Sequence, residues 1–115
     1  MKRGDIYLVE YEPVRGSEAN KARPSVIVSN DGANSAVARA GRGVITVVPL
    51  TSNVSRLYPF QVLLQAGDSG LAKDSKVQCE QVRAMAQERF LRQIGKVPRR
   101  RMAEIDVALR RHLAL

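Results

Sequence analysis

PSVIVSN (residues 24–30) and GVITVVPL (residues 43–50) decide the fold class. Both runs are short and apolar, rich in β-branched residues, and carry no helical stripe. Val26, Ile27 and Val28 suit a pleated, mostly buried surface. Pro24 fits the first position of a strand, where its missing N–H costs the ladder nothing. Working outward, DIYLVEYE (5–12) reads as a first strand stopped by Pro13, YPFQVLL (58–64) as a fourth, and SKVQCEQVRAM (75–85) as a fifth with mixed faces. The connections are rich in turn formers: residues 13–22 with Gly16, Ser17 and Asn20, then TSNVSRL (51–57) and AGDSG (66–70). Asp31-Gly32 opens a connection over 31–42, read as loop with one short helical turn. QERFLRQI (87–94) reads as a helical turn leading into the extended piece IGKVP.

The last stretch, RRRMAEIDVALRRHLAL (99–115), sets Met102, Ile105, Leu109 and His112 or Leu113 at helical spacing, with Ala108 beside them. This predicts an amphipathic helix packed on the sheet or on a neighbouring chain. Five or six short strands and a terminal helix, without repeat or linker, predict a single domain over residues 1–115. Its architecture is expected to be a small, twisted, barrel-like antiparallel sheet.

A chain of 115 residues holds one packed core. Trp is absent and only five residues are aromatic, which argues against a base-stacking platform of the RRM kind. The formal charge is +8, split as +2 over residues 1–82 and +6 over 83–115. Such an excess suits a polyanion or an acidic protein partner, or serves solubility alone. Arg99-Arg100-Arg101 oppose the dipole at a helix start. They read as a solvated basic face or as a docking patch for something acidic. Cys79 is the only cysteine, so no disulfide forms within the chain, and a zinc site with two or more thiolates is excluded. The N-terminus lacks a signal-peptide core and the longest apolar run, residues 44–50, is too short to cross a bilayer. A soluble, cytoplasmic protein without membrane contact is expected.

His112 is the only histidine, so a two-histidine acid–base pair within one chain is impossible. HExxH, P-loop and GxSxG patterns are missing, and the carboxylates form no obvious metal site; no cofactor or metal is expected. What remains is Arg, Thr/Ser, Glu, Gln and backbone donors. That set suits a reaction whose nucleophile is already in place, as the ribose 2′-OH is beside a phosphodiester of RNA. The protein need only align it, stabilise the phosphorane-like transition state and manage two protons. A guanidinium offers a fixed fork of donors for phosphate oxygens. Arg23 at the mouth of the second strand and Thr51-Ser52 at the end of the third are the candidates. Gln81 and Arg83, two apart on the predicted fifth strand, project to one face. Each also has a plain structural reading: an ion pair of Arg23 with Glu18, a turn at Thr51-Ser52, a solvated face at Gln81 and Arg83.

At these residues the sequence resembles the MazF/PemK family of toxin endoribonucleases, the toxin component of type II toxin–antitoxin systems. The resemblance is carried by KRGDIYLVEYEPVRGSEANKARPSVIVSND (2–31), VVPLTSN (47–53) and CEQVRAMAQERFLRQIGKV (79–97), three blocks in order at matching spacing. It implies a compact SH3-like antiparallel β-barrel with a C-terminal α-helix, working as a homodimer. It implies mRNA-interferase-type, metal-independent cleavage of single-stranded RNA at short sequences, leaving a 2′,3′-cyclic phosphate and a 5′-OH. It implies an acidic, MazE-like antitoxin lying across the active groove. By resemblance the catalytic arginine falls on Arg23, the threonine on Thr51 and an RNA-contacting glutamine on Gln81, with Glu18, Asn34, Ser52 and Arg83 near the groove. Asn20, Lys21, Asn53 and Arg56 are candidate readers of splayed bases. Where relatives carry Ser or Thr and then an acidic residue, this chain has Ala84-Met85-Ala86-Gln87, which leaves Glu18 and Glu80 as the nearest alternative acid or base. A CcdB-like toxin that binds gyrase has a similar fold, but it depends on a C-terminal Trp that this chain lacks. A non-catalytic, basic RNA-binding module is a third reading.

Overall fold

The computed structural model describes residues 1–11 and 22–115. Its strands are β1 (Asp5–Glu10), β2 (Ala22–Ile27), β3 (Val44–Thr51), β4 (Gln61–Leu64), β5 (Ser75–Gln78), β6 (Arg83–Ala86) and β7 (Phe90–Lys96). Its helices are α1 (Asp31–Ala40), the single turn α2 (Ala66–Ser69) and α3 (Arg99–Leu113). The sheet runs β4-β5-β3-β2-β1-β7, with β6 also on β3 and every pairing antiparallel. It curls like a barrel and is left open, because no ladder joins β7 to β4.

Strand alternation divides the interior in two. Val26, Val48, Leu50 and Val77 face a core closed by Ile105 and Ala108 of α3. Val9, Ile27, Ile45, Val47 and Met85 face a second core on the other side. The α3 stripe therefore packs on its own sheet through Ile105 and Ala108, with Met102 and Leu109 at the margin. Burying Ile105 alone is worth about 2 kcal/mol. The expected continuation through His112 and Leu113 fails: both are exposed, because the helix outruns the sheet beneath it.

Residues 31–40 form a full ten-residue helix in place of the single turn expected. Gly32, Asn34 and Ser35 are weak helix formers, but the ends are well made. Asn30 caps the start by accepting from the Ala33 N–H at 2.8 Å, and Gly41 closes it at φ +71°. The predicted fourth strand shortens to Gln61–Leu64, since the Tyr58 carbonyl takes the Gln61 N–H at 2.9 Å in a turn. The predicted fifth strand breaks in two. Leu50 pairs with Val77, whereas Val47 pairs with Arg83. The two registers differ by three residues, and the 3₁₀ turn Cys79–Gln81 takes up that difference.

The Arg3-Gly4-Asp5 stretch is structural. Arg3 donates to the Val28 carbonyl at 2.8 Å and to Asp106 at 2.6 Å, and its N–H meets Asp31 at 2.7 Å, tying the N-terminus to α1 and α3. Among the described residues no helix is long and apolar enough to cross a membrane.

Cys79 sits in the first core, where burial, with Glu80 second, pushes its thiol up from 9.0 to about 12. The unfolded chain therefore loses this proton first. The stabilisation from the neutral thiol is complete below 9.0 and disappears as pH climbs to about 12. The native protein should resist a thiol reagent at about pH 8 while the denatured chain reacts readily. Replacing Cys79 with Ala should flatten the alkaline fall in stability; equal labelling of native and denatured protein would contradict this burial.

Candidate active site

Alternation along β2 places Arg23, Ser25 and Ile27 on the face of the second core. Ile27 fills that core, Ser25 is buried, and Arg23 emerges half-buried at the strand's outer end. Its Nη2 donates to Gln78 Oε1 at 3.3 Å, and its guanidinium carbon lies 5.9 Å from the centre of the Tyr11 ring. Arg83, from the start of β6, brings its own guanidinium to 5.2 Å from the same ring. The Tyr11 hydroxyl is hydrogen-bonded to the Ser25 hydroxyl. Each cation–ring contact is worth about 0.5–1 kcal/mol at such partly exposed sites. Burial pushes the Tyr11 phenol up, against the Ser25 hydrogen bond and the two arginines, so it is a neutral hydroxyl at physiological pH.

The β2–β3 ladder ends with Ser25 opposite Pro49, and Arg23 and Thr51 each lie two residues beyond that last pair, where Thr51 pairs with Lys76 of β5. The Thr51 Oγ1 accepts the Asn53 N–H at 3.2 Å, and among the described residues no acceptor takes its hydroxyl proton. Asn53 Oδ1 in turn accepts from the Ser55 N–H at 3.3 Å and its hydroxyl at 2.8 Å. This chain of side-chain turns shapes the loop after β3 and leaves Ser52 exposed. Thr51 and Ser52 border a cleft of about 430 Å³ whose cations are Lys73 and Arg92. Arg56 lies further along; it donates to the Tyr58 hydroxyl at 3.1 Å and stands 5.7 Å from that ring.

Other predicted positions fare differently. Gln81 and Arg83 are both exposed, but they do not share a strand: Gln81 ends the 3₁₀ turn and Arg83 begins β6. Asn34 is 2% exposed, and its amide exchanges two hydrogen bonds with Ser29, fastening α1 to the end of β2. It is a structural peg and does not face a groove. Glu18, Asn20 and Lys21 lie outside the described residues. Glu80 accepts from Gln61 Nε2 at 2.9 Å, which commits one of its oxygens. On α3, Arg100 pairs with Asp68 and Arg101 with Glu104, each at 2.8 Å, so these two cations are engaged within the chain. Among the described residues, no three of His, Cys, Asp or Glu cluster as a metal site would require.

Sequence reasoning missed Tyr11, Ser25 and Gln78. A usable signal was present: Tyr7, Val9 and Tyr11 alternate, so Tyr11 continues the row that faces Arg23.

The profile of the PemK-like, MazF-like toxins of type II toxin–antitoxin systems matches residues 2–113. The chain belongs to this family. Over all 115 residues it is 56% identical to Endoribonuclease MazF9 of Mycobacterium tuberculosis (strain ATCC 25618 / H37Rv), spanning 98% of that protein. Over 110 residues, 95% of this chain and 88% of the other, it is 31% identical to Endoribonuclease MazF of Staphylococcus epidermidis. A solved mycobacterial endoribonuclease in complex with its cognate antitoxin is similar at TM-score 0.78 and 25% identity, covering 100% of this chain and 96% of that one. MazF from Deinococcus radiodurans (Form-I) is similar in fold at TM-score 0.76 and 24% identity, covering 100% and 97%. The SH3-like barrel with a terminal helix is thus the fold of this MazF-family toxin. The CcdB-like, gyrase-binding alternative is not favoured.

Proposed function

We propose that this MazF-family endoribonuclease toxin cuts single-stranded RNA at short sequences, without a metal, in the cytoplasm. The observation that carries the reading is the pair of guanidiniums, Arg23 and Arg83, gathered on one ring. The ribose 2′-OH attacks the adjacent phosphorus, the P–O5′ bond breaks, and the proton lost by the 2′-OH is balanced by one delivered to the leaving 5′-oxygen. The products are a 2′,3′-cyclic phosphate and a 5′-OH. Arg23 stabilises the added negative charge and the departing oxygen. Thr51 donates its hydroxyl proton to a non-bridging oxygen. Ser52, Asn53, Arg56, Gln81 and Arg83 contact the flanking nucleotides, joined by Glu18, Asn20 and Lys21.

Incubation of the purified chain with mixed-sequence RNA in EDTA tests this directly. Discrete fragments with cyclic phosphate and 5′-OH ends are expected; binding without cleavage would favour the basic RNA-binding module instead. The active unit is a homodimer, and a light-scattering mass of one chain would remove that part.

The partner is an acidic, MazE-like antitoxin that competes with RNA for the basic surface, as the solved complex of a relative with its antitoxin encourages. With Lys21, Arg23, Arg56 and Arg83 each on one phosphate of a single strand, RNA affinity should fall about 50-fold for a fourfold rise in salt. Antitoxin binding should weaken in the same direction. A salt-insensitive complex would point to a mainly apolar interface.

A further inference from the structure

Tyr11 has no role assigned by the sequence reading, yet both arginines stand over its ring. Arg23 and Arg83 start from β2 and β6, which pair with β3 and not with each other. Two long cationic side chains from separate strands repel one another and, left alone, sample many rotamers. Here the guanidinium carbons stand 5.9 and 5.2 Å from the centre of one ring, whose electron-rich face attracts both. The ring is held by packing against the second core, and its hydroxyl also bonds the buried Ser25, two residues along β2 from Arg23. Gln78 takes one Nη2 proton of Arg23, and no other described residue takes a proton from that fork.

We propose that Tyr11 is a positioning residue that holds Arg23 and Arg83 as a paired clamp for the phosphates of single-stranded RNA. The proposal rests on the RNA-cleaving reading of this site. Holding the two guanidiniums before substrate arrives removes an ordering cost that binding would otherwise bear. It also sets their geometry for the transition state, where a misplacement of about 1 Å can cost a hundredfold in rate.

The test uses the full chain, a single-stranded RNA oligonucleotide and the variants Tyr11→Leu and Tyr11→Phe. ¹⁵N relaxation of the Arg23 and Arg83 Nε–H groups is measured on the free proteins. For Tyr11→Leu we expect kcat/KM to fall about 30-fold, mostly in kcat, and both Nε–H groups to gain mobility. Tyr11→Phe keeps the ring and should recover all but about threefold of the rate, with both groups ordered. A folded Tyr11→Leu protein with wild-type kcat/KM and unchanged relaxation overturns the clamp. So does a Tyr11→Phe protein as impaired as Tyr11→Leu, which would place the effect on the hydroxyl. Exposed Arg83 supplies a variant independent of the folding of Tyr11→Leu. Arg83→Ala should lower the slope of log affinity against log salt by about 0.7, and an unchanged slope also overturns the proposal. If the wild-type chain cuts no RNA, the cleavage reading falls while the relaxation data still decide whether Tyr11 holds the arginines.

Discussion

Arg23→Ala should abolish nearly all RNA cleavage, by about 10³-fold or more in kcat, in a protein that still folds. The size follows from what is removed. The dianionic transition state gains charge relative to the substrate, so a fixed cation there helps the transition state more than the ground state. Arg23→Lys keeps the charge but loses the planar fork, and about 10- to 100-fold of the rate should stay lost. Folding should survive because Arg23 is only half-buried and its polar partner, Gln78, is reached at a long 3.3 Å. Melting temperature and circular dichroism check that half of the expectation, and single-turnover cleavage checks the other. Wild-type cleavage by Arg23→Ala would remove the assignment outright.

The parts of this molecule set by local chemistry were readable in advance. β2 and β3 follow from Val26, Ile27 and Val44–Val48, whose branched side chains fit a sheet and little else. The buried stripe of α3 follows from the spacing of Met102, Ile105 and Leu109. What depends on partners was not readable. Nothing between Ser75 and Met85 announces that β3 changes partner at Cys79–Gln81, because register belongs to the pairing and not to either strand. The resemblance alone places Asn34 near the groove, and its burial lies in contacts that the sequence does not show. Only the fold supplies Ser29 to satisfy it. α1 was concealed by its weak interior formers although both caps, Asn30 and Gly41, stood in the sequence. In the site, Arg23 and Thr51 were legible as residue types at strand ends. The convergence of Arg23 with Arg83 on Tyr11 was not, since it joins three separate strands' ends.

The largest structural effect is expected at Gly95, whose neighbours Gly70 and Ile94 line the same cleft as Thr51 and Ser52. Gly95 lies in β7 opposite Ile6 of β1, with the Ser69 carbonyl at the end of α2 against it. A Cβ built there would stand 2.3 Å from the Ser69 carbonyl oxygen, well inside contact distance, and 3.5 Å from Ile6 Cδ1. The obstacle is backbone, so no rotamer change relieves it. Ser69 is buried and its hydroxyl donates to the Gln65 carbonyl at 3.0 Å; Gly70, at φ +85°, closes the same turn with its Cα side against Gly95 and Ile94. Gly95→Ala must therefore lift α2 off the sheet or pull β7 away from β1, whose pairing supports one wall of the first core. Overpacking at a yielding site costs about 1–3 kcal/mol, and a rigid one lies at or above the top of that range. Against a total stability of about 5–15 kcal/mol, a loss of about 3 kcal/mol or more should lower the melting temperature by well over 10 °C. The glycine's φ lies outside the left-handed region, so strain in the backbone itself adds nothing, and Gly95→Ser should be as harmful as Gly95→Ala. Urea titration of the two variants measures it. A Gly95→Ala protein within about 0.5 kcal/mol of wild type would mean that α2 yields freely, and that the packing of α2 on β7 contributes little to the fold.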